Sequence, residues 1–304
     1  MNTSVRIRLS ALMFLEFFVW GAWYVTLGTY LDKDLHATGI QVGAAYSAMA
    51  IATIISPFFV GMIADRFFSA QKLLGVLHLL GFVLLYYITT IKSPSTFYWV
   101  LLVYSLLYAP TLALANSVAF RQMKDPGKEF ASIRVLGTIG WIATGLMIDK
   151  VFKVSTEELV FTFKMAGIAS AILGLLSFAL PDTPPKAKGT AATFRQILGA
   201  DAFVLFKNTS FTVFFIASVL ICIPLSFYYG FANPFLNEVG MQNAGLASGL
   251  ALAMGKLATA GLAPAIFGPV MNITGSSLAS WWHNRLPEDN NTAIDEKVEP
   301  LPVL

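Results

Sequence analysis

The run Arg6-Ile-Arg8-Leu-Ser-Ala-Leu-Met-Phe-Leu-Glu16-Phe-Phe-Val-Trp20-Gly-Ala-Trp23-Tyr-Val-Thr26-Leu-Gly-Thr-Tyr30-Leu31 decides how the rest of the chain is read. Two arginines ahead of an apolar stretch resemble a signal peptide. This stretch continues past Tyr30, however, and lacks a small-residue cleavage site. It is long enough for an α-helix crossing about 30 Å of hydrocarbon, which takes roughly 20 residues. The run is therefore read as a retained first membrane helix.

The same pattern recurs along the chain. Of its 304 residues 56% are hydrophobic and only 12% charged, a balance that a water-soluble core does not need. Apolar runs separated by short polar breaks predict eight helices over about 8–31, 41–67, 72–91, 96–120, 131–152, 161–180, 210–236 and 244–271. The fold class is thus an all-α polytopic membrane protein. The net charge of +3 suggests no nucleic-acid surface, and the single cysteine, Cys222, permits no intramolecular disulfide.

Arg6, Arg8, Arg66, Lys72, Arg121, Lys124, Lys128, Lys186, Lys188, Arg195 and Lys207 fall in alternate loops, and only Lys33, Lys92, Lys150, Lys153 and Lys164 in the others. The positive-inside rule then predicts both termini on the cytoplasmic side. The break containing Pro184, Pro185, Lys186 and Lys188 divides a six-helix bundle (1–180), through a cytoplasmic linker (181–208), from two helices of a second bundle (209–271). A polar tail over 272–304 is expected to be disordered. Pro57-Phe-Phe-Val-Gly61 returns as Pro264-Ala-Ile-Phe-Gly268, as two related bundles would require.

Several polar residues stand where lipid would not tolerate them. Arg134, Thr138 and Trp141 are spaced i, i+4 and i+7, so a guanidinium, a hydroxyl and an indole share one helix face. That face suits a binding site; an arginine reaching the nearby cytoplasmic boundary is the alternative. Glu16 lies one to two turns inside the first helix, with Trp20, Trp23 and Tyr24 on its side. It is a candidate reversible proton site, or else a partner of Arg134 or of a backbone donor. Gly61-Met-Ile-Ala-Asp65-Arg66, followed by Lys72, forms either a cytoplasmic gate latch or ordinary flanking charge. The seventh run carries Pro224, Ser226, Tyr228, Tyr229, Gly230, Asn233 and Pro234, a composition expected of a broken helix lining a cavity. His78 reads as a histidine satisfied within the bundle, and Lys256 has no evident place. No GxxxxGK[ST] loop, HExxH helix or GxSxG elbow occurs, so an enzyme or ATP-driven pump has no visible apparatus and no cofactor is implied.

Phe130-Ala-Ser-Ile-Arg134-Val-Leu-Gly137-Thr138-Ile-Gly140-Trp141-Ile142 resembles the fifth-helix signature of the bacterial nucleoside:proton symporters, a branch of the major facilitator superfamily. Trp20-Gly-Ala-Trp23, Thr26-Leu-Gly-Thr-Tyr30, Tyr108-Ala-Pro-Thr111 and Leu198-Gly-Ala-Asp201-Ala-Phe-Val-Leu-Phe206-Lys-Asn208 extend the resemblance over about residues 6–240. The resemblance implies nucleoside uptake by proton symport across a bacterial inner membrane. It also implies that Arg134 and Thr138 contact the nucleoside, that Trp141 packs on it, and that Ser226 and Tyr229 contribute from the seventh helix. Family members have twelve helices, and beyond about Asn243 their pattern is not evident in this chain. A piece of a longer protein, or a shortened relative that binds without transporting, is therefore also expected. The small-residue face Gly245, Gly249 and Ala253 suits pairing with a second copy.

Overall fold

The computed structural model describes residues 2–185, 200–248 and 250, except the side chains of 57–59, 61, 62, 65, 127, 200–203, 214, 218, 219 and 221–230. Every regular element among them is helical. Thr3–Tyr24 (α1) and Leu27–Lys33 (α2) share the first apolar run; α3 spans Gly39–Arg66, α4 Ala70–Ile88, α5 Pro94–Gln122, α6 Pro126–Leu146, α7 Val160–Phe178 and α8 Thr209–Glu238. Within the described residues six spans are long and apolar enough to cross a membrane: Thr3–Lys33, Gly39–Ser56, Ala70–Ile88, Pro94–Gln122, Lys128–Val151 and Val160–Phe178. The last expected helix begins at Ala244, and its continuation toward 271 lies outside the described residues, as does the tail.

The bundle has an apolar core with polar groups set into it, and its outer face is apolar as well. Exposed Val76, Leu80, Val83 and Tyr87 line one face of α4, and Ile168, Ile172 and Leu175 one face of α7, as lipid-facing positions should. Glu16, His78, Ser105, Thr111, Thr162 and Ser170 are buried between helices. There α1 packs chiefly on α6 and α7, while α4 packs on α5 and α7, and α3 on α5.

Two features differ from the simple reading of uninterrupted runs. The first helix breaks at Val25–Thr26, where the Thr26 hydroxyl turns back toward the Trp23 carbonyl at 3.5 Å. Inside a membrane the backbone groups freed by such a break need partners. Tyr46 supplies them: its hydroxyl accepts from the Gly28 N–H at 3.1 Å and donates to the Tyr24 carbonyl at 3.3 Å. Conversely, α8 was expected to break at its prolines and is one continuous helix through Pro224 and Pro234. The chain accommodates both prolines without ending the helix, as membrane helices can when local adjustments re-satisfy the backbone.

At the end of the bundle carrying Arg8, Lys72 and Arg121, the first residues of the expected linker fold back on the helices. The Gln71 amide donates to Asp182 at 2.6 Å and accepts from the Thr183 N–H at 2.9 Å. Ala70 N–H donates to the Thr183 carbonyl at 3.0 Å, and Arg121 donates to the Pro184 carbonyl.

Candidate functional site

Helix α6 begins with Asp125 as its N-cap, accepting from the Lys128 N–H, and with Pro126 at its first position. Its seam with α1 depends on glycine. At Gly140 the carbonyl of Phe14 leaves no room for a Cβ, and at Gly137 a Cβ would stand 2.6 Å from the Phe17 ring and 2.8 Å from an Arg134 guanidinium nitrogen. The helices therefore touch closely at the level of the predicted binding face.

Arg134 is half-buried, and its guanidinium carbon lies 3.9 Å from the centroid of the Phe17 ring. Thr138 is buried one turn on. Trp141 is fully buried and meets Trp20 edge to face, with ring centroids 5.3 Å apart. Trp20, half-exposed, also packs on Tyr24 and faces Tyr108. Phe17, Trp20, Tyr108 and Trp141 thus form an aromatic group with a cation at its edge. Of these rings Trp20 alone is half-exposed, so a solute meeting this group could hydrogen-bond the guanidinium and stack on Trp20.

Glu16, one residue before Phe17, points to the other side of α1. Its carboxylate is fully buried, 3.0 Å from His78 Nε2, and accepts from the Thr111 hydroxyl at 2.6 Å. Tyr108 O–H donates to the Glu16 backbone carbonyl at 2.7 Å. Ser170 completes the group, its hydroxyl donating to the His78 carbonyl at 2.9 Å and lying 3.1 Å from His78 Nδ1. The hydrogen-bonding partners of the Glu16 carboxylate are thus His78 and Thr111. His78 is satisfied within the bundle, as expected; its role as the acid's partner is not visible from spacing, because the two lie on α1 and α4.

The other candidates divide. Arg66 ends α3, half-buried. Gly61 and Asp65 lie in α3, and Ser226 and Tyr229 in α8, but their side chains fall outside the described residues. On the final turns of α5 an open groove is lined by Ala113, Asn116, Ser117, Phe120 and Arg121.

One polar cluster has no signature in the sequence. At the bundle end opposite Arg8, α6 passes into a π-helical turn, Met147–Val151, which presents Asp149 to the start of the helix at Ala244. The carboxylate accepts from the Leu246 N–H at 2.5 Å. Nearby the Thr29 hydroxyl donates to Asn233 Oδ1 at 2.8 Å, joining α2 to α8. A cavity of about 210 Å³ lies between these contacts, lined in part by Thr26, Asp149, Ser155, Asn233 and Asn237. Gly245 is buried against Asp149 of its own chain, so that part of the small-residue face is occupied internally.

Comparison with known proteins gives this geometry a context. The family model described as nucleoside H+ symporter matches residues 1–266, beyond the point near Asn243 where the resemblance had been expected to end. The chain is 45% identical over 241 residues to YegT of Escherichia coli, whose name carries a provisional assignment to nucleoside transport. It is 36% identical over 240 residues to a xanthosine permease of the same organism. These alignments cover 78% and 77% of this chain but 56% of each relative, so the chain spans little more than half the length of those relatives. The crystal structure of the nucleoside transporter NupG superposes with a TM-score of 0.72 at 29% identity, covering 85% of this chain and 66% of that one.

Proposed function

The chain belongs to the nucleoside H+ symporter family, and on that premise we propose that it binds a nucleoside against the α1–α6 seam and carries it across a bacterial inner membrane together with a proton. The observation that carries the reading is the set Arg134, Thr138 and Trp141 on one face of α6, with the guanidinium 3.9 Å over Phe17. Arg134 and Thr138 hydrogen-bond the substrate, and the half-exposed Trp20 ring, backed by the buried Trp141, forms the wall on which the base packs. Ser226 and Tyr229 complete the contacts from α8. Glu16, paired with His78, is the proton site. Gly61, Asp65 and Arg66 form a cytoplasmic gate, both termini face the cytoplasm, and a second copy of the chain is a partner.

Uptake of radiolabelled uridine, inosine and xanthosine into proteoliposomes tests this reading. An inward proton gradient should drive accumulation above equilibrium, and a protonophore should abolish it. Binding without any uptake would assign the chain a sensing or assembly role instead, and absence of both would refute the proposal.

A further inference from the structure

We propose that Phe17 is a positioning residue for Arg134, holding the guanidinium in the orientation from which it meets the substrate. The inference rests on the reading of Arg134 as a nucleoside contact and adds to it a residue with no polar group of its own.

An arginine on a membrane helix has many rotamers, and left to itself it extends toward the nearer boundary. Here the guanidinium carbon sits 3.9 Å from the centroid of the Phe17 ring, on the neighbouring helix. Phe17 is itself only 7% exposed, and Trp20 packs beside it with centroids 6.2 Å apart, so the ring is held in place. Gly137 makes the arrangement possible, because a Cβ there would stand 2.6 Å from the ring and 2.8 Å from the guanidinium. Attraction between a cation and the face of a ring turns a flexible donor into one with a fixed plane. A planar fork gains its advantage over an ammonium only when its plane is fixed relative to the ligand.

The test is a double-mutant cycle on uridine affinity, measured by scintillation proximity on purified protein with thermal midpoints recorded in parallel. Phe17→Leu keeps the apolar volume and removes the ring face, and should weaken uridine binding about 5- to 30-fold. Phe17→Tyr keeps the face and should stay within about 3-fold of wild type. In an Arg134→Lys background Phe17→Leu should cost almost nothing more, since the donor it positions is gone. A merely structural Phe17 predicts the opposite: equal further losses in both backgrounds, tracking the thermal midpoint. Should Phe17→Leu not fold, Gly137→Ala serves in the same cycle, because it displaces both partners. Unchanged affinity in Phe17→Leu, or full additivity with Arg134→Lys, overturns the positioning role while leaving Arg134 in the site. Wild-type affinity in Arg134→Lys alone overturns both.

Discussion

Glu16 and His78, on helices α1 and α4, face one another at 3.0 Å with side chains 0% and 1% exposed. Their neighbours tie the pair into the bundle: the Ser170 hydroxyl donates to the His78 carbonyl and lies 3.1 Å from His78 Nδ1, and the Thr111 hydroxyl lies 2.6 Å from the Glu16 carboxyl. Glu16→Gln keeps a hydrogen-bonding side chain and removes the acid. It should abolish accumulation driven by a proton gradient while leaving nucleoside exchange between equal pools intact. Proteoliposomes assayed both ways decide it: uphill accumulation in Glu16→Gln would take the proton site elsewhere. His78→Leu, which removes one of the two side-chain partners of a buried carboxyl, should instead lower stability by about 1–3 kcal/mol, read as a lower thermal midpoint.

Asp149 gives the end of α6 a hold on the start of the last described helix through the Leu246 N–H. Asp149→Ala should cost about 0.5–2 kcal/mol, as loss of a helix cap does. Asp149→Asn, whose amide oxygen still accepts, should cost less. The local readout is thiol labelling of Ala244→Cys, a buried position: it should quicken in the alanine variant and stay slow in the asparagine variant.

At the other end of the bundle the Gln71 amide, followed by Ser69, holds the Asp182 carboxyl below its usual range through hydrogen bonds. A depressed folded-state pKa means that the contact's contribution is present above the unfolded value, about 3.9, and is lost as pH falls through the folded one. Labelling of Thr183→Cys, with rates normalised to a free thiol, should therefore stay slow from neutral pH to about pH 4 and rise below it. Asp182→Asn should remove that acid step; an unchanged profile would show that the carboxylate does not hold the segment.

Membrane orientation is tested with single cysteines in a Cys222→Ser background. Ser155 and Lys124 are both exposed, at opposite ends of the bundle. An impermeant reagent applied to whole cells should modify Ser155→Cys and spare Lys124→Cys. The reverse pattern would invert the topology.

Run length and helix-face spacing made much of this legible in advance, because a membrane leaves a chain few choices. Six of the expected helices appear as spans of sufficient length and hydropathy, and the Arg134, Thr138 and Trp141 positions do lie on α6 near α1. What spacing does not reveal is pairing across helices. Glu16 and His78 are 62 residues apart, and Asp149 and Leu246 are 97, so only packing brings them together. The break at Val25–Thr26 leaves no mark in the sequence for another reason: it contains neither glycine nor proline, and it is sustained by Tyr46 on another helix.

The central claim is that Arg134 binds a nucleoside, and the most direct measurement is uridine affinity of wild type against Arg134→Lys, by calorimetry on purified protein with folding checked by thermal midpoint. An ammonium cannot reproduce a planar fork of donors, and losing charged hydrogen bonds in a water-poor pocket costs about 1.5–3 kcal/mol, so the lysine variant should bind roughly 10- to 150-fold more weakly. Equal affinities in two equally folded proteins would contradict the account and leave Arg134 as a residue that merely reaches for the membrane boundary.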